Sequence, residues 1–131
     1  MTQGINHLGL AVRDLDASIA FFTQTLGWTE TGRDDSYPRS AVSDGICRLT
    51  LWQVTQDPAP RAFDRHQNIG LHHLALEVAT RAELDDLHDC IAADPRARIE
   101  FGPEPMGSGP RYHMMFSEPG GIRLELVWPG M

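Results

Sequence analysis

The chain has 131 residues, 41% of them hydrophobic and 22% charged, with 11 Lys and Arg against 18 Asp and Glu for a formal net charge of −7. This acidic balance, without any basic run, argues against nucleic acid as a partner, because a phosphate backbone attracts stripes of lysine and arginine. No apolar run nears the roughly 20 residues of a bilayer span and residues 1–12 lack a signal-peptide pattern, so the expected setting is the cytoplasm, without a membrane. The length suits about one domain with a real core. Cys47, expected within a strand, and Cys90, on a helix, read as reduced thiols.

In chain order, Ile5-Asn6-His7-Leu8-Gly9-Leu10-Ala11-Val12 alternates between two faces, as a half-buried strand does. Residues 14–27 place Leu15, Ile19, Phe22 and Leu26 on one helical stripe, with Asp14 as N-cap and Gly27 as the stop. Strands are expected near 28–33, 39–43 and 46–53, the last two joined by the Ser43-Asp44-Gly45 turn. Residues 55–69 show no periodicity and read as a linker. A second strand, Leu71-His72-His73-Leu74-Ala75-Leu76-Glu77-Val78, repeats the first, and Thr80 caps a helix over about 81–93 with Leu84, Leu87 and Ile91 as its stripe. Strands near 97–102, 111–117 and 121–128 close the chain, the last pair joined by Glu118-Pro119-Gly120-Gly121. Both halves read β-α-β-β-β, giving one domain of two modules, about 1–54 and 70–131.

Alternation sets the faces. His7, Gly9 and Ala11 oppose the leucines of the first strand; His73, Ala75 and Glu77 oppose those of its repeat; Arg123, Glu125 and Val127 share a face of the last strand. The leucine faces belong under the helices. On the other face, a carboxylate in the middle of an apolar strand is costly unless it is paired or bound to a cation. His7 and His73 at matching places of the repeat, with Glu125, form a facial set of two imidazoles and one carboxylate that suits Fe2+, Mn2+, Ni2+ or Zn2+ with positions left open for a ligand. Thr50 stands in the first half where the second has Glu125. His72 falls on the helix side, and His66 and His88 are expected in solvent.

The repeat, the His-Leu-Gly-Leu-Ala-Val opening and the closing Phe116-Ser117-Glu118-Pro119-Gly120-Gly121-Ile122-Arg123-Leu124-Glu125-Leu126 resemble the glyoxalase, bleomycin-resistance and extradiol dioxygenase superfamily, the vicinal oxygen chelate proteins. The closing segment is similar to that family's aromatic-x-Asp-Pro-x-Gly-x-x-x-Glu pattern, with Glu118 in place of Asp. The resemblance implies an α+β fold whose two βαβββ modules form a cupped, partly closed mixed sheet with helices outside. It implies His7, His73 and Glu125 as metal ligands, and a homodimer acting on a small-molecule substrate. Thr50 falls where glyoxalase I members carry a fourth ligand, which argues against that activity.

Within the resemblance, His113 shares Met115's face and is a candidate for moving a proton. Glu77 is a candidate base or orienting group, or a salt-bridge partner of Arg48, Arg111 or Arg123. Thr50, Trp52, Met115 and Arg123 are candidate pocket residues. The expected function is a metal-dependent small-molecule enzyme, dioxygenase-like or lyase/isomerase-like, that binds vicinal oxygens. The alternatives are a metal-free sequestering protein and a fosfomycin-type thiol transferase; against the latter, Met115 replaces its tyrosine and Gly9 its threonine.

Overall fold

A computed structural model describes residues 1–131. The chain divides into two compact units, Met1–Arg61 and Ala62–Met131, and the division falls inside the expected linker. Each unit follows the β-α-β-β-β order and carries its own four-stranded mixed sheet.

In the first unit β1 (Leu8–Val12), β2 (Thr29–Asp34), β3 (Arg39–Ser43) and β4 (Arg48–Gln53) lie in the order β1-β4-β3-β2, with β1 parallel to β4 and the other pairs antiparallel. Helix α1 (Leu15–Ala20) starts at Asp14, whose carboxylate accepts from the Ala17 amide at 3.1 Å. Its first amide, Leu15, donates to the Gln53 side chain at 3.0 Å, which ties the helix start to the end of β4. The helix expected through residue 26 changes pitch. Phe21–Thr25 form a π-helical turn, closed by the Leu26 amide on the Phe21 carbonyl at 3.1 Å, and Gly27 ends it at φ 76°. Phe21 and Phe22 are both fully buried there and meet edge to face at 5.7 Å. Leu10, Val12, Val42, Leu49 and Leu51 complete this core.

The turn before β4 differs from its expectation too. Cys47 precedes the strand, its amide held at 2.8 Å by the Asp44 carboxylate, which also accepts from Ile46 at 2.9 Å. A short polar side chain that bonds the backbone just ahead of it turns the chain and delays the strand.

In the second unit β5 (Leu74–Glu77), β6 (Arg98–Pro105), β7 (Tyr112–Ser117) and β8 (Arg123–Trp128) repeat the arrangement as β5-β8-β7-β6, with β5 parallel to β8. Helix α2 (Arg81–Ala92) begins with a full capping box. The Thr80 hydroxyl accepts from the Glu83 amide and the Glu83 carboxylate from the Thr80 amide, both at 3.1 Å. Leu84 and Ile91 are buried with Val78, Met114, Phe116, Leu124 and Leu126. The turn into β8 is organised by Glu118, a buried carboxylate that accepts from the amides of Gly120 at 2.7 Å and Ile122 at 3.2 Å. His88, expected in solvent, is instead half-buried against β6, because Gly102 has no Cβ; one built there would stand 3.0 Å from His88 Nε2.

β1 and β5 are shorter than the alternation suggests. Their ladders begin at Leu8 opposite Leu49 and at Leu74 opposite Leu124, so His7 and His73 stand one residue ahead of their strands. No helix is long and apolar enough to cross a membrane.

Removing the capping box is expected to weaken the second unit. Thr80→Ala should lower unfolding stability by about 1 kcal/mol, read as a lower denaturant midpoint at unchanged m-value.

Candidate metal centre

The two ladders are in equivalent register. Glu125 of β8 lies opposite Ala75 of β5 on one side and Met115 of β7 on the other; Thr50 of β4 lies between Gly9 of β1 and Ala41 of β3. His73 is two residues before Ala75 and His7 two before Gly9, so each histidine takes the same position relative to its central strand. The duplication seen in the sequence extends to hydrogen-bond register.

In the second unit this register converges on a carboxylate. Glu125 is only 5% exposed. Its Oε2 lies 2.6 Å from His113 Nδ1 and its Oε1 lies 3.5 Å from His73 Nε2. An ionised carboxylate only accepts, so His113 Nδ1 carries the proton and donates to it. Phe101 packs against the His113 ring with centroids 4.9 Å apart, and buried Met115 is Glu125's neighbour on β7.

Beside this pair, Arg123 donates to Glu100 through Nε at 2.7 Å and Nη2 at 2.9 Å. That fork raises the arginine's already high value and holds the Glu100 carboxyl below its ordinary range. Arg123 Nη1 reaches His72 Nδ1 at 3.4 Å, and His72 Nδ1 meets His73 Nδ1 at 2.7 Å. Desolvation, then the neighbouring His73 and Arg123, hold the His72 imidazole below its usual range. His72 therefore sits with the site and not, as its place in the alternation suggests, on the helix side; it precedes the strand, where alternation no longer applies. Arg123 pairs with Glu100 rather than with Glu77, which is exposed on β5.

In the first unit His7 is exposed and its Nδ1 lies 2.8 Å from Asn6 Oδ1. Buried Thr50 accepts from Trp52 Nε1 at 2.9 Å. The Trp52 ring meets the edge of Tyr37 at 4.9 Å and carries the Arg39 guanidinium 5.5 Å from its centroid. Gly9 leaves room for this pair, since a Cβ there would lie 3.2 Å from the Thr50 hydroxyl.

The donor chemistry of His73 and Glu125 fits a divalent cation. Two ligands each about 2.1 Å from one ion stand about 3.0–3.4 Å apart across a right or tetrahedral angle, near the 3.5 Å observed between His73 Nε2 and Glu125 Oε1. The only ion-pair contacts of this buried carboxylate are imidazoles. His73 and Glu125 make two ligands, and no group of three or more His, Cys, Asp or Glu side chains is arranged to hold a metal. Glu100 and His72 were not anticipated as site residues. Glu100 sits on another strand, 23 residues from Arg123, with no spacing pattern to betray the contact.

Residues 4–126 match the Glyoxalase/Bleomycin resistance protein/Dioxygenase superfamily. A 2-epi-5-epi-valiolone epimerase from Actinomyces sp. is 26% identical over 146 residues, which cover 94% of this chain and 78% of that one. A glyoxylase/bleomycin resistance protein/dioxygenase domain from Frankia sp. EAN1pec superposes with a TM-score of 0.83 at 26% identity, over 100% of this chain and 94% of that one. A FosX variant from Listeria monocytogenes, solved with Mn(II) and 1S,2S-dihydroxypropylphosphonic acid, shares the fold with a TM-score of 0.74 at 19% identity, over 100% of this chain and 93% of that one.

The Glu100–Arg123 fork predicts an acid dependence of stability. Glu100 is held below its ordinary value in the folded chain, so the unfolded chain binds the proton first. Its contribution is complete above the ordinary carboxylate range and drains away as pH falls from roughly 5 toward 3. Glu100→Gln should therefore flatten that part of the stability profile, measured as the denaturant midpoint against pH, and leave the slope above pH 6 unchanged.

Proposed function

From membership of the Glyoxalase/Bleomycin resistance protein/Dioxygenase superfamily, to which this chain belongs, we propose that it is a divalent-metal-dependent enzyme that isomerises or epimerises a small polyoxygenated molecule. The observation that carries this reading is the buried Glu125 carboxylate, facing His73 Nε2 at 3.5 Å with no arginine or lysine paired to it. His73 and Glu125 hold the ion, with His7, the repeat counterpart of His73, as the third ligand. The ion is Mn2+, Zn2+, Ni2+ or Fe2+, and the working assembly is the homodimer that the resemblance implies. The relative named as an epimerase supports isomerase-type chemistry over ring cleavage.

The bound ion supplies Lewis acidity, which acidifies the C–H beside a substrate carbonyl or hydroxyketone. The protein's own groups do the rest. His113 donates its Nδ1–H to Glu125, which anchors the carboxylate and leaves its Nε2 as the nitrogen that moves a proton. Glu77, exposed on the same face of β5, takes the proton and returns it. Arg123 and Met115 border the substrate, and Trp52, with Thr50 held to its indole, offers a flat face to a ring.

Titration calorimetry of the metal-stripped protein should give close to one Zn(II) or Mn(II) per chain, with affinity reduced more than about 100-fold by His73→Ala or Glu125→Ala. Incubated in D2O with a panel of cyclic polyhydroxyketones, the loaded protein should exchange deuterium into the carbon beside the carbonyl. Glu77→Gln should abolish that exchange and leave metal affinity intact. Oxygen uptake with catechols in place of exchange would overturn the isomerase reading, and tight small-molecule binding without any metal would favour the sequestering alternative.

A further inference from the structure

Resting on the proposed centre, we propose that His72, directed by Arg123, fixes the tautomer of His73 so that His73 Nε2 presents a bare lone pair toward Glu125. His72 is thus a positioning residue.

A neutral imidazole has one N–H and one acceptor nitrogen, and a guanidinium only donates. His72 Nδ1 and His73 Nδ1 lie 2.7 Å apart, so one of the two carries the shared proton. Arg123 Nη1 points at His72 Nδ1 from 3.4 Å, and an N–H there would face an N–H. The nearby guanidinium charge further opposes a proton on that atom. His72 Nδ1 is therefore the acceptor, and the proton belongs to His73 Nδ1. It follows that His73 Nε2 is unprotonated, and that what faces Glu125 Oε1 across 3.5 Å is a second acceptor rather than an N–H donor.

The chain of contacts that enforces this starts from a fixed point. Glu100 on β6 grips Arg123 with both carboxylate oxygens, so the guanidinium cannot turn away to accommodate the other His72 tautomer. From the opposite side His113 holds Glu125 Oε2, leaving Oε1 as the oxygen turned to His73. Two lone-pair atoms held face to face call for a cation, whereas the opposite His73 tautomer would close the gap with an ordinary hydrogen bond. A hydrogen bond from the ring nitrogen remote from a metal is the usual way a histidine ligand's tautomer is set; here a second imidazole receives it.

The test reads the tautomer in metal-free protein and then the affinity for Zn(II). Long-range 1H–15N correlation spectra of labelled wild-type protein, recorded above the imidazole titration range, should show His73 with protonated Nδ1 and bare Nε2. In His72→Phe, which removes the acceptor, His73 should shift toward the Nε2–H form, and Zn(II) affinity should fall about tenfold. In His72→Asn, whose amide oxygen can accept from His73 Nδ1–H, tautomer and affinity should both recover, which a merely structural loss would not do. Finding His73 as the Nε2–H form in wild type, or finding tautomer and affinity unchanged in His72→Phe, overturns the inference. If wild type binds no Zn(II) while the tautomer still responds to His72, the positioning role stands and the metal centre falls.

Discussion

The second unit is organised around one buried carboxylate. Glu125 sits in the middle of β8, with strands on both sides and 5% of its surface open to water, where an unpaired charge costs several kcal/mol even after relaxation. What surrounds it is a pair of imidazoles, one donating firmly to Oε2 and one standing back from Oε1. An acid retained at such a place, without a guanidinium to neutralise it, is the kind of group whose cost is offset by binding a cation. The ring packing of Phe101 on His113 and the fork of Arg123 with Glu100 support groups that touch this carboxylate or its histidine partner.

The backbone makes that placement reproducible. Side chains alternate across a strand, so a shift of one residue in the β7–β8 or β5–β8 ladder would turn Glu125 to the helix side and expel Leu124 and Leu126 from it. Register is defended at the turn before β8, where Glu118 collects the amides of Gly120 and Ile122 and Gly121 takes φ 100°. It is also defended by Leu124 and Leu126 of β8, which are buried on the face that packs against α2.

Duplication with divergence separates the two units. The same register that gives Glu125 in the second gives Thr50 in the first, and there the hydroxyl is engaged by the Trp52 indole. A small polar residue beside Gly9 needs no cation to be satisfied, since one N–H donor meets it. The first unit thus carries an aromatic, Arg39-capped face at the position where the second carries a charged one.

Much of this was legible in the sequence. Period-two alternation located the strands and period 3.6 the helices; caps at Asp14 and Thr80, the stop at Gly27 and the Glu118-Pro119-Gly120-Gly121 turn marked their limits, because these features are local and a dozen residues suffice to express them. The near-identity of the two histidine-headed segments also announced the repeat and singled out His7 and His73, and a carboxylate in the middle of an apolar strand singled out Glu125. Strand ends, the π-helical turn after Ala20, the burial of His88 and the displacement of Cys47 required tertiary context: each depends on which backbone group finds a partner across a ladder or against a neighbouring element. The contacts of His113 with Glu125, Arg123 with Glu100, and His72 with His73 and Arg123 were decided by the folded sheet alone. Apart from the contact between the neighbours His72 and His73, they join side chains from separate segments at spacings that no linear pattern encodes, and hydrogen bonding at 2.6 to 3.4 Å is settled only once the strands are in register.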